Sequence, residues 1–416
     1  MRDPLFKDLL PLEQVLALIE RTFPGPRETG LETVATRQAV GRILAAPVVA
    51  PCSLPGFRRS TVDGFALQAA STEGASATKP VRLRIVGEVA MGRLPDFTLA
   101  FGEAALIPTG GALPQGADAV IMVEQTHQDQ ADAVAIHRPV AARENIIEAD
   151  ADARQGAEVF TPNLELRPEH IGLLCGLGLA TLAVRRRLRA TVFSSGDEVV
   201  APDAPANPGQ VRDINGPMLA AALFQDGCQA RYGGILPDRL DRVGETLRAA
   251  FADNDLMLIS GGSSVGCKDH TAAAIAALGP PGILVHGIGI KPGKPTIVGL
   301  SAEGCPLLGM PGNPTSAQVA YLLVVRPLLR RLQTGRSPAI PATIKAEFTC
   351  SLQGGSGRAE YVRVRLEQRD GKMLATPLLG ESGLISTLTD ADGLVALPSS
   401  AQGIEAGSLV EVLPLG

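Results

Sequence analysis

Tryptophan is absent from the 416 residues and aromatic residues make up only 3% of them, so any core must be filled by Ala, Leu, Val and Ile. At this length one core does not suffice, and two to four compact units are expected. There is no cysteine framework either. Cys52, Cys175, Cys228, Cys267, Cys305 and Cys350 lie far apart, with no CxxC pair and no histidine at metal-ligand spacing. Reduced thiols in the cytoplasm are the expectation. The net charge of −5 comes without an extended basic stripe, and the densest run, Arg185-Arg186-Arg187, sits between apolar segments. That argues against nucleic acid as a partner. No apolar run is long enough to span a bilayer, and the charged start lacks an apolar core followed by a small-residue cleavage site. No membrane association or secretory targeting is expected.

What is present is a periodicity that changes along the chain. Over 9–23, Leu9, Leu12, Leu16 and Ile19 recur at helical spacing and predict an amphipathic helix. The prolines of 47–55 mark an extended crossing into a new unit. From there to 149, alternating turn-rich segments at 81–89, 104–108, 119–124 and 133–137 read as strands. Residues 167–183 return to helical spacing through Ile171, Leu174 and Leu177, as a helix expected to rejoin the first one. Beyond 190, strands at 190–193, 230–233, 256–259 and 306–308 alternate with helices at 217–225, 239–252, 269–278 and 315–332. That rhythm means a mostly parallel α/β sheet. Past the linker at 335–338 only strand-like segments follow, such as 343–350, 360–366 and 409–413. The fold class is therefore α/β and β multidomain. It comprises a discontinuous N-terminal domain (1–50 plus 150–188), an inserted β domain (51–149), an α/β domain (189–335) and a C-terminal β domain (336–416).

Ligands of parallel α/β sheets bind beyond the carboxyl ends of the strands, so the loops there carry the chemistry. SSGDE at 194–198 puts two carboxylates, Asp197 and Glu198, where a divalent cation could take their oxygens. SGGSSVGCKD at 260–269 supplies glycines, hydroxyls and amides directly before a helix, a natural anion site. IKPGKP at 290–295 presents Lys291 and Lys294 from a proline-stiffened loop. MPGNPTS at 310–316 opens a helix, where Thr315 and Ser316 could cap it or face an oxyanion. Each has an ordinary structural reading: solvated acids, a common glycine turn, a surface turn, a helix cap. Their coincidence on one sheet edge favours chemistry.

In that order, SSGDE, SGGSSVGxxD, IKPGKP and PGNPTS resemble the MoeA proteins and the matching E domain of gephyrin. RSTVDGFA at 59–66 resembles the family's S-x-x-D-G-Y/F-A, and IPTGG at 107–111 with GADAV at 116–120 resembles its T-G-x-x-x-P-x-G-A-D-A-V segment. The resemblance covers essentially the whole chain. It implies a four-domain protomer ending in a β barrel, and a homodimer with clefts shared between subunits. It also implies a transferase that inserts molybdate into adenylylated molybdopterin, releasing AMP and molybdenum cofactor with the help of Mg2+ or another divalent cation. Contact with the molybdopterin adenylyltransferase, which acts one step earlier, is a further expectation.

Carried over residue by residue, the resemblance implies that Asp63, Thr109, Glu198, Asp238 and Asp269 line the catalytic cleft; of these, Glu198 and Asp269 are the acids expected to position the metal. Molybdate would lie on Lys294, Ser316, Arg358 and Ser382, where SGRAEYVR and GESG match family motifs. Ser260, Gly261, Gly262, Ser264, Lys291, Pro311, Gly312, Asn313 and Pro314 would complete the cofactor-binding surface. One segment departs: where many members have N-I-R-x-x-G-E-D, this chain has NIIEADAD at 145–152, without the Arg and Gly but with Asp152. Arg154 is a candidate to reach the same place. Two other readings compete. An adenylyltransferase would not need Asp63 in an inserted β domain or Arg358 and Ser382 in a C-terminal barrel. A gephyrin-like scaffold would not need Asp63, Glu198 and Asp269 together.

Overall fold

The computed structural model describes residues 9–237, 239–261, 270–337 and 342–415. Asp238, Gly262, Ser264 and Asp269 lie outside the described residues. The chain divides into two compact units.

One unit spans 33–40 and 44–183. In its six-stranded sheet, Gly64–Leu67 runs antiparallel between Glu103–Ile107 and Ala119–Met122. Val81–Glu88 lies parallel to Glu103–Ile107 and antiparallel to Ala133–Ile136, with Thr126–Gln130 at the edge. Phe65 and Leu67 enter one apolar cluster and Ala66 the other, as strand alternation requires. Both faces are therefore covered, which is why GFAL shows no polar alternation. Val48–Val49 pairs with Glu158–Phe160, so the segments before and after this sheet meet. The helix expected over 167–183 is shorter. It covers Pro168–Gly176, ends before Gly178 at φ 76°, and gives way to the strand Thr181–Arg185, which buries Leu182 and Val184.

The other unit holds the chain before 33, residues 41–43 and everything from 184 on. Its sheet runs in the order Gln229–Leu236, Arg189–Ser195, Leu256–Ser260, Pro306–Met310, Ile297–Leu300, Gly282–His286. The first four strands are parallel and the last two antiparallel to their neighbours. The first helix, Leu12–Thr22, expected to rejoin the helix of 167–183, instead buries Leu12, Val15 and Ile19 in this unit's main core. The helix expected at 315–332 runs without interruption over 314–334, with a π segment at Tyr321–Val325 between the α segments Pro314–Ala320 and Arg326–Thr334. Pro327 lacks an N–H and crowds the preceding turn, which disrupts the regular α pattern there.

The C-terminal strands close on themselves. Ala359–Arg369 pairs with both Lys372–Pro377 and Gly393–Leu397. Leu409–Pro414 joins Gly393–Leu397 to Ile344–Phe348, which returns to Lys372–Pro377. Phe348, Val364, Ala375, Val395 and Val412 fill the resulting barrel. Where only strands were expected, a short helix, Ser386–Thr389, interrupts it.

Candidate active site

Register places four loops at one edge of the α/β sheet. Ser194 lies beside Ser260 and Ser260 beside Met310, while His286 lies beside Ile297, itself beside Gly309. The chain leaves Arg189–Ser195 for Gln229–Leu236 on one side and then crosses to Leu256–Ser260 on the other, which makes a switch-point crevice between Ser195 and Gly261. The backbone is tight there. Gly261 has φ 99°, and a Cβ on it would lie 2.1 Å from the Ser195 carbonyl oxygen, so no other residue fits.

Asn215 opens the helix Asn215–Gln225 beneath this crevice. Its Nδ2 donates to Ser260 Oγ at 2.8 Å and to the Gly312 carbonyl at 2.7 Å, tying two exits together. Asp213 accepts from the Gly216 N–H at 3.0 Å and from the Tyr232 hydroxyl at 2.8 Å, which fixes the start of the helix. Asn215 is only 7% exposed, and its Oδ1, like Ser194 Oγ, is buried without a partner among the described residues. Such atoms cost about 1–3 kcal/mol each, and that cost tends to be retained at functional sites. Sequence reasoning missed both Asp213 and Asn215. The signal was there: an Asp two residues ahead of the helix start.

Thr315 and Ser316 do not cap the helix Pro314–Ala320. The N-cap is Asn313, followed by Pro314, and both hydroxyl residues are buried in the first turn. Asn313 instead donates its amide to Ser382 Oγ at 2.8 Å, and the Thr315 N–H donates to the Ser382 carbonyl at 3.1 Å. A barrel loop of the same chain thus seats on this helix start. Arg363 braces it, donating to Thr315 Oγ1 (3.2 Å), Thr387 Oγ1 (2.9 Å) and the Gly380 carbonyl (2.8 Å). Burial holds its pKa below the ordinary guanidinium value. Arg363 was not singled out from sequence, although SGRAEYVR contains it. Arg358 stands half-buried just ahead of the strand Ala359–Arg369.

The lysine loop splits in two. Ile290–Lys291 pairs in parallel with Ala359–Glu360, and Lys291 Nζ donates to Glu360 Oε2 at 3.1 Å. Burial raises the Glu360 pKa, but hydrogen bonds from Ser356 and Lys291 outweigh it and hold the carboxyl below its usual range. Lys291 is thus committed to the barrel. Lys294 is half-buried, and Gly293, at φ 119°, brings the loop against the Ser316 carbonyl, which would be 3.7 Å from a Cβ added there. Glu198 is exposed at the first exit. Among the described residues no group of three or more His, Cys, Asp or Glu is arranged to hold a metal ion.

In the other unit, Asp63 Oδ1 accepts from the Thr109 N–H at 2.7 Å and from its hydroxyl at 2.9 Å. The Asp63 side chain is exposed, and these two bonds hold its pKa below the ordinary carboxylate value. Gly64 is required beside it, since a Cβ would lie 1.9 Å from the Ile121 carbonyl oxygen. The acid of GADAV serves the fold, because Asp118 Oδ1 accepts from the Ala69 N–H at 2.6 Å. In the divergent segment, Asn145 donates to the Val120 carbonyl at 2.9 Å, and Ile146–Ile147 pairs with Arg59–Ser60. Asp150, which stands where the motif has glycine, has a left-handed φ of 61°, a conformation Asp tolerates better than most residues. Arg154 pairs with Asp150 at 3.4 Å on the surface.

Three family models match in succession: "MoeA N-terminal region (domain I and II)" over 10–178, "Probable molybdopterin binding domain" over 191–331, and "MoeA C-terminal region (domain IV)" over 345–415. With the crevice described above, these define the class: a multidomain protein whose α/β unit is of the molybdopterin-binding type. The chain is 33% identical to a molybdopterin molybdenumtransferase of Nostoc over 92% of its own length and 88% of the relative's. It is 34% identical to molybdopterin molybdenumtransferase 2 of Mycobacterium tuberculosis, covering 92% and 95%. A molybdopterin biosynthesis MoeA protein from Pyrococcus horikoshii superposes with a TM-score of 0.81 at 26% identity, covering 97% of this chain and 99% of that one. The chain belongs to the MoeA family of molybdopterin molybdenumtransferases.

Proposed function

We propose that this chain inserts molybdenum into molybdopterin: molybdate enters the dithiolene of adenylylated molybdopterin, and the phosphoanhydride is cleaved to release AMP. The observation that carries this reading is the seating of Ser382 on the helix start at Asn313, within the unit that also holds Ser316 and the Lys294 loop. Molybdate is a dianion, and a point-charge ammonium with two hydroxyl donors suits it. Lys294, Ser316 and Ser382 are assigned to it, with Arg363 positioning the loop. Ser260, Gly261 and Pro311–Asn313 form the floor under the pterin phosphate. Asp63, kept charged by Thr109, is assigned to the same reaction on the family resemblance.

A divalent cation, when bound, supplies neutralising charge at the pyrophosphate bridge. Mg2+ takes one or two protein carboxylates and completes its shell with phosphate oxygens and water. An exposed Glu198 at the strand exit, with Asp269 as a second acid, fits that habit better than a closed protein cage would. A homodimer, a cytoplasmic location and substrate delivery by the molybdopterin adenylyltransferase are part of the same proposal. Among the described residues no helix is long and apolar enough to cross a membrane. The test is to incubate the protein with adenylylated molybdopterin, molybdate and Mg2+ and to measure AMP. Release that depends on both molybdate and the metal is expected; no AMP above the protein-free control would overturn the reading.

A further inference from the structure

The ribbon next to Asp63 holds an arginine that neither the fold nor the site has so far engaged. Arg59 pairs directly with Ile147 on one side and bridges to Ala112 on the other. The Ser60 N–H donates to the Gly111 carbonyl at 3.0 Å, and the Gly110 N–H donates to the Ser60 carbonyl at 2.8 Å. The strand carrying Arg59 is thereby fastened to the Thr109–Gly111 turn that binds the Asp63 carboxylate. Directly opposed residues of antiparallel strands project from the same face, with Cβ atoms about 5 Å apart. Arg59 thus shares its face with a branched alkyl group and a methyl, neither of which can pair with it. Its neighbour Arg58 donates to the Ala117 carbonyl at 3.2 Å. Arg59 is half-buried, and among the described residues its guanidinium has no hydrogen-bond or ion-pair partner. A half-buried fork of donors with no acid beside it is chemically suited to an anion.

Ile147 stands where the family motif has arginine; it pairs with Arg59 across the ribbon, and Asp150, in the motif's glycine place, is left-handed. We propose that Arg59 binds the phosphate-bearing part of adenylylated molybdopterin, supplying from the opposite strand the cation that position 147 lacks. This rests on the function proposed above.

The test measures equilibrium binding of adenylylated molybdopterin without molybdate, together with AMP release, for the natural protein, Arg59→Ala, and Arg59→Ala combined with Ile147→Arg. Loss of a charge-assisted contact to phosphate should raise Kd and KM about tenfold to a hundredfold with kcat little changed. The double variant should recover to within about threefold, because its guanidinium returns to the same face. A Kd for Arg59→Ala within about twofold of the natural protein, or a double variant as weak as the single one, would overturn the proposal. Binding is read without turnover, so a natural protein that binds but releases no AMP would count against the reaction, while the binding comparison would still decide the role of Arg59.

Discussion

Asp63 shows how much one residue can owe to another. Both hydrogen bonds that depress its pKa come from Thr109, the backbone N–H first and the hydroxyl second. Thr109→Val removes only the hydroxyl, so the Asp63 titration midpoint, followed by carboxyl NMR, should move up toward 3.8 without reaching it. A midpoint that does not move would strike the hydroxyl from the account. The sign for stability follows from a folded pKa below the unfolded one. The contribution is present above the unfolded value and fades as pH falls through the folded value, so Asp63→Asn should flatten the acid limb of a stability profile. Lys294 makes a separable prediction. Lys294→Gln removes the ammonium, so half-maximal AMP release should need about tenfold or more molybdate, while the requirement for the pterin substrate stays put. An unaltered molybdate requirement would exclude the oxyanion site proposed there.

At the scale of elements, the alternation of strands and helices in the α/β unit was legible because buried parallel strands and amphipathic helices write different periods into the sequence. Leu256–Ser260 and Leu240–Phe251 fall within a residue or so of expectation. Where reading failed, a local signal was overruled or overlooked. The helix expected over 167–183 stops at Gly176 because Gly178 takes the left-handed conformation, and beyond it the buried Leu182 and Val184 alternate as strand positions. The loops at the sheet edge could be found from glycines, prolines and charges, yet the division of labour among them could not. Lys291 reads as an anion ligand until Glu360, 69 residues later, is seen beside it. The helix start at Asn215 was signalled by Asp213, but its tie between two exits was not legible, since its partners Ser260 and Gly312 are distant in sequence. Its role predicts that Asn215→Ala lowers stability by about 1–3 kcal/mol, measured by denaturant titration, because the buried Ser260 hydroxyl and the exposed Gly312 carbonyl lose their shared donor, the first of them away from water. It should also weaken substrate binding, because the two exits lose their tie. A variant as stable and as tight-binding as the natural protein would mean that the two loops hold themselves in place.

For the whole molecule, the contacts define two units, each with cores of its own. Phe65, Leu83 and Ile121 belong to one, and Leu219, Leu258 and Tyr321 to the other. Units that bury separate apolar cores can melt as separate cooperative transitions. Two glycines offer a matched pair of probes, since in each case an added Cβ would collide with a backbone carbonyl that cannot step aside. Gly64 in one unit would place it 1.9 Å from the Ile121 oxygen, and Gly261 in the other 2.1 Å from the Ser195 oxygen. Each substitution to Ala should cost at least about 2 kcal/mol, which in a unit of this size is a fall of roughly 5 °C or more in the midpoint of its own transition. Scanning calorimetry should therefore show Gly64→Ala lowering one transition and Gly261→Ala the other, with the unaffected transition at its natural temperature in each variant. If both variants shift a single common transition, the units fold as one cooperative body, and the loss of Asp63's setting and the loss of the Ser195–Gly261 crevice could no longer be produced separately by mutation.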